Sequence, residues 1–171
     1  MSNRDPRLNQ TFKDDFYVQY GEYPGYAQSG YKRWLFLNKQ HEDDLESTQS
    51  FNITDAPIIR LGEVMLNYIE AAAELETLGK YTVTQEDVDA TINKLRTRAS
   101  FGGKLAKLQI IGGQPAVNGV VFDDADRDPD VPSFLWEIRR ERRVELVYQG
   151  FRLNDLKRWR KIHYLNSDLY P

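Results

Sequence analysis

The chain has 171 residues, enough to bury about 70% of its unfolded surface in an ordinary core without a metal or a crosslink. It contains no Cys, which excludes disulfides, thiol nucleophiles and Cys-ligated zinc, and its net charge of −3 argues against nucleic acid as a general partner. No apolar run approaches the roughly 18 residues of a membrane span, and the polar opening Met1 to Gln10 lacks the apolar centre of a signal peptide.

One domain over residues 1–171 is the expectation, organised in four stretches. Residues 1–56 are rich in aromatics, Gly and Pro without a sustained helical period, so they read as loops with one or two short strands, TQSFNIT being a candidate strand. Residues 57–101 read as a helix pair. The first helix is predicted from about Ile58 to Leu78, with Leu61, Val64, Met65, Tyr68, Ile69, Ala72 and Leu75 at helical spacing, Asp55 as its cap and Gly79 as its stop. The second opens at Thr84, which forms a capping-box pattern with Asp87, and buries Val88, Ile92, Leu95 and Ala99 before Gly102-Gly103 ends it. The short LGKYTV between them predicts an antiparallel, tetratricopeptide-like hairpin.

Residues 103–132 form an excursion in which LQIIGGQPAVNGVVF predicts a small β-hairpin ahead of the acidic run DDADRDPD. Residues 133–163 hold the C-terminal helices, one from Ser133 to Gln149 stopped by Gly150 and one from about Leu153 to Lys161. The expected fold class is therefore all-α in the main, with irregular loops and minor β structure.

Charge covers nearly every face of the third helix, and its own one-turn pairs do not explain it. Glu137 with Glu141, Arg139 with Arg143 and Glu141 with Glu145 repel at i,i+4 spacing. Partners on other elements are expected, with Arg side chains of the third helix reaching Glu63, Glu70 and Glu74 of the first. The alternative is a basic strip for phosphate, since residues 133–163 hold nine Arg or Lys against four acids; the interleaved Glu argues against it.

The same residues carry a family resemblance. NRDPRL at 3–8, SGYKRWLFLNK at 29–39, APIIRLGEVMLNYIEAAAEL at 56–75, INKLRTRA at 92–99 and IRRERRVELVYQGFRLNDLKRW at 138–159 stand in the order of the C-terminal signature of SusD/RagB proteins. The chain resembles the latter part of a member of that family. The resemblance implies a non-catalytic protein exposed on the bacterial outer membrane, which binds glycans or other nutrients and sits as a lid on a TonB-dependent transporter. It implies uptake rather than hydrolysis, and no cofactor. Against the family pattern the sequence lacks a signal peptide, a lipid-attachment Cys and the N-terminal helical repeats, and it stops soon after the Arg-Trp element. It therefore reads as an excerpt of a longer protein.

The resemblance assigns no ligand residue, so the candidate site comes from the residues themselves. The segment from Phe16 to Trp34 packs five of the ten Tyr, one Trp and three Gly together. Tyr17, Tyr20, Tyr23 and Tyr26 recur every third residue, while Gly21, Pro24 and Gly25 interrupt any helix that would turn them into a core stripe. Exposed loops with flat rings suit the apolar faces of sugars, and Tyr20, Tyr23, Tyr26 and Trp34 are the first candidates, with Arg33 and Gln28 for hydroxyls. The competing reading is that the rings pin this loop onto the helices.

Asp126, Asp128, Asp130 and Glu137 fall at positions 1, 3, 5 and 12 of a calcium-loop pattern, but position 6 is Val131 instead of Gly and two Pro stiffen the loop, which favours a solvated acidic loop. His41 and His163 lie in no metal or triad pattern, and no nucleophile elbow, P-loop or dinucleotide fingerprint occurs. A helical scaffold that binds a protein or peptide through the tetratricopeptide-like groove is the alternative function.

Overall fold

A computed structural model of the chain describes residues 5–7, 11–13, 32–33, 57–98, 100 and 102–166. The chain divides into two compact units, Met1–Arg60 and Leu61–Pro171. In the first, strands β1 (Phe12–Lys13) and β2 (Lys32–Arg33) pair antiparallel, Phe12 opposite Arg33. Asp5 and Arg7 form an ion pair at 2.6 Å, and the Thr11 hydroxyl donates to the Arg7 carbonyl at 2.9 Å. The TQSFNIT segment and the Asp55 cap lie outside the described residues.

The second unit is mainly helical with a small sheet. Helix α1 runs Leu61–Thr77, three residues later than its predicted start. Its end is a Schellman motif: Gly79 is left-handed at φ 66°, its N–H reaches the Glu76 carbonyl at 2.9 Å, and Lys80 N–H reaches the Leu75 carbonyl at 3.0 Å. At Thr84 the predicted capping box is complete, with both the side-chain and the reciprocal backbone bond to Asp87. The predicted second helix, however, is two: α2 (Gln85–Ala90) and α3 (Ile92–Arg96). The break is at buried Thr91, at φ −120° and ψ −92°, whose hydroxyl turns back to the Asp87 carbonyl at 2.6 Å.

The excursion is a three-stranded antiparallel meander of β3 (Gln109–Ile111), β4 (Gln114–Val117) and β5 (Val120–Val121), one strand more than a hairpin. Both turns are Gly-containing two-residue loops with positive φ throughout, Gly112-Gly113 and Asn118-Gly119, the geometry that matches strand twist. Helix α4 covers Ser133–Glu145, four residues shorter than predicted. Helix α5 covers Phe151–Arg158, and a 3-10 turn follows at Ile162–Leu165. Between α4 and α5, Gly150 takes the left-handed conformation at φ 84° as its position predicts.

One buried cluster holds this unit together. Leu66, Ile69, Ala72 and Ala73 of α1 meet Val88 of α2, Ile92 and Leu95 of α3, and Phe134, Leu135 and Ile138 of α4. Fully buried Ile138 and Phe134 each contribute about 1.5–3 kcal/mol by leaving water. Gly62 lets α1 approach closely, since a Cβ there would sit 3.4 Å from Leu95 Cδ2 and 3.6 Å from Glu145 Oε1. The predicted apolar stripe of α1 needs correction. Ile69 and Ala72 do face the core, but Leu61, Val64, Tyr68 and Leu75 are exposed, and Leu66 and Ala73 take their place. The helix therefore has two apolar faces, and tertiary packing uses one.

Candidate functional site

Helix α4 positions the charges. Its residues 137, 141 and 145 project toward α3, where Arg96 is buried and donates to Glu137 at 2.9 Å and to Glu141 at 2.5 Å, with Ala106 carbonyl accepting from the same guanidinium at 3.1 Å. The i,i+4 repulsion between Glu137 and Glu141 thereby becomes a shared clamp on one cation. Arg140 closes on Glu137 at 2.6 Å and Arg98 on Glu145 at 2.7 Å.

On the other side of α4 the partners come from α1 and α5. Arg139 reaches Glu74 at 2.7 Å, as the sequence predicts. Arg142 donates to Asp155 at 2.8 Å and to Asn67 at 2.7 Å, with Glu70 at 3.8 Å. Glu70 itself is held mainly by α5: Arg158 grips it with two bonds, 2.7 and 2.9 Å, and the Trp159 indole N–H donates to it. The predicted link between the first and third helices is thus present, with Arg96, Arg98 and Arg158 as additional members from outside α4. Glu63 forms no ion pair among the described residues. These additional arginines were in view in the INKLRTRA and NDLKRW segments, but pairing them with particular glutamates needed the packing of α3 and α5 on α4.

A corner at the end of the acidic loop joins three aromatic rings to two carboxylates. Trp136 and Tyr164 meet edge to face at 6.2 Å, His163 and Tyr164 at 4.8 Å, and the Trp136 indole N–H donates to Asp124 at 2.9 Å. Asp128 is buried, bonded to the Lys161 ammonium at 2.6 Å and to the Tyr164 hydroxyl. Burial pushes its carboxyl up, but Lys161, Tyr164 and the Asp130 amide outweigh that and hold it down at about 2. Lys161 is raised in turn, first by its bond to Asp128. The expectation of a solvated acidic loop is corrected here: Asp128 pins the loop to the 3-10 turn. Asp126 and Asp130 stay exposed and Glu137 belongs to Arg96 and Arg140, so the four calcium-pattern residues are committed to different partners or to solvent. Among the described residues no three potential ligands converge on a metal position.

A second aromatic pair joins α1 to α2. Tyr68 and Tyr81 both donate to Asp87, at 2.8 and 3.1 Å, and their rings stay partly exposed, as do Leu61, Val64, Leu75 and Leu78. The hydrogen bond between the two hydroxyls, and next the one to the Asp87 carboxylate, raise the Tyr68 hydroxyl pKa.

Tyr20, Tyr23, Tyr26, Gln28 and Trp34, the first candidates for sugar contact, lie outside the described residues. Arg33 is placed by its backbone in β2. The order of sequence blocks and the α-rich frame agree with one comparison. The SusD family model matches residues 1–169.

The chain belongs to the SusD family. Membership suggests glycan binding in nutrient uptake, and members are in general non-catalytic binding proteins, typically associated with the outer membrane. No helix among the described residues is long and apolar enough to cross a membrane. No curated protein and no solved structure matches the chain.

Proposed function

We propose that this SusD-family chain is a non-catalytic module that binds oligosaccharide at the surface of the outer membrane and hands it to a TonB-dependent transporter. Family membership over residues 1–169 is the observation that carries the reading. The charge network supports it, because each buried glutamate of α4 is neutralised by a guanidinium, an arrangement that stiffens a scaffold instead of transferring protons. On this reading the ligand rests on Tyr20, Tyr23, Tyr26 and Trp34, with Arg33 and Gln28 bonding hydroxyls, and capture is weak enough to permit release. A glycan array probed with the chain and with Trp34→Ala tests it. One defined signal that disappears in the variant is expected. Coincident profiles remove the aromatic segment as the site, and no signal from either protein removes glycan binding.

A second reading is favoured by the exposed face of α1. Leu61, Val64, Tyr68, Leu75 and Leu78 line one side of the helix, between 42% and 69% exposed, opposite the buried face. Water-facing apolar stripes of this length mark protein contacts, so this face suits an amphipathic helix of a protein partner. Sedimentation and cross-linking of the chain with and without Leu61→Lys and Leu75→Lys distinguish the readings. A partner contact is lost in these variants while glycan signals persist; equal behaviour of both proteins rejects the protein-binding reading.

A further inference from the structure

The balance struck by Glu137 and Glu141 has no counterpart among the arginines on the other side of α4. Arg139, Arg152 and Arg158 all lie over the Trp159 ring, with guanidinium carbons 4.6, 5.6 and 5.4 Å from its centroid. Arg143 is one turn beyond Arg139 on the same helix. With Arg142 that makes five guanidinium groups in one corner. The carboxylates that meet them are Glu70, Glu74 and Asp155. Arg142 and Arg158 share Glu70 and Asp155, and Arg139 takes Glu74, which leaves Arg143 and Arg152 with no ion pair among the described residues.

Two further observations show that the surplus is unsatisfied. Arg139 has a side chain only 11% exposed, yet its Nε is buried with no hydrogen-bond partner. Burial and then the neighbouring charge of Arg143 lower the pKa of half-buried Arg152 and outweigh the opposing pull of Asp155, so its environment as a whole disfavours the cation. Guanidinium groups cannot relieve such strain by losing their proton at ordinary pH. What relieves it is an oxyanion, whose oxygens match the planar N–H fork.

We propose that Arg139, Arg143 and Arg152 form a binding site for an oxyanion, a sulfate or carboxylate group such as an acidic saccharide carries. Trp159, 9% exposed, is too covered to stack on a sugar and serves as the floor that fixes the guanidinium planes. Recognition is of the charged substituent, which divides acidic from neutral glycans. The saccharide as source of that group rests on the glycan reading above; the anion site does not.

The test titrates the full chain at constant ionic strength with sodium sulfate, with a sulfated oligosaccharide and with its desulfated counterpart, following heat of binding and thermal midpoint. Arg152→Gln and Arg143→Gln are measured beside the parent chain. Arg143 is exposed and forms no ion pair among the described residues, so its variant keeps the test valid if Arg152→Gln fails to fold. Sulfate is expected to bind the parent chain and to raise its midpoint, and to bind each variant at least about tenfold more weakly. In sulfate-free buffer neither variant should melt below the parent, because each loses a charge that forms no ion pair among the described residues. Sulfate binding that is absent in the parent, or equal in parent and variants, overturns the site. Binding of the desulfated oligosaccharide by all three proteins without a sulfate response likewise rejects the site while leaving glycan binding intact. A sulfate response without any oligosaccharide binding supports the site and removes the saccharide as its source.

Discussion

The two sides of α4 meet the same difficulty, like charges one turn apart, and resolve it differently. Toward α3, Glu137 and Glu141 close on buried Arg96, so every carboxylate has a cation within hydrogen-bond distance. Toward α5, Arg139, Arg143 and Arg152 outnumber their acids and stay partly exposed. A balanced buried cluster fixes the register of helices and is costly to disturb, whereas an unbalanced one at the surface costs little to trim and has capacity left for a ligand.

The comparison predicts a graded series. Arg96→Met removes the cation between two glutamates of which neither is more than 2% exposed, and should destabilise the chain by about 3–5 kcal/mol in denaturant unfolding. A loss under about 1 kcal/mol would mean the cluster is hydrated. Glu70→Gln breaks the bidentate bond to Arg158 and weakens the Trp159 bond, with about 2–3 kcal/mol expected in the same assay.

Asp128→Asn removes the ion pair with Lys161 and should cost about 1–2 kcal/mol at neutral pH. The folded carboxyl titrates at about 2, below its unfolded value near 3.9, so the stability it supplies is complete above about pH 4 and lost as pH falls toward 2. A pH series of thermal melts should therefore show parent and variant converging over that interval; parallel curves would show that Asp128 is not held low. Arg143→Gln, at the unbalanced end, should shift stability by no more than about 0.5 kcal/mol.

Much of the frame was legible from local chemistry. The Thr84 capping box, the Gly79 stop, the left-handed backbone of Gly150 and the glycine turns of the meander follow from backbone preferences that act within a few residues, although α4 ends at Glu145, ahead of Gly150. The break at Thr91 was not, because a β-branched residue inside a helical pattern is ordinary until its hydroxyl finds the Asp87 carbonyl. Nor was the choice between the two apolar faces of α1, since periodicity marks apolar positions without saying which side meets α4. For the site, the aromatic segment from Phe16 to Trp34 stands out by composition, while the cluster around Trp159 has no sequence pattern of its own, being assembled from α4 and α5.

The sequence by itself determined the helical class, the caps and turns, the family and the need for cross-helix partners, because propensity, capping and one-turn charge spacing are local. Tertiary structure alone decided which arginine serves which carboxylate, that Asp128 is buried against Lys161, and that Arg143 and Arg152 form no ion pair among the described residues. Those outcomes depend on which helices pack together, and pairing over separations that run from 13 to 88 positions is a property of the packed core.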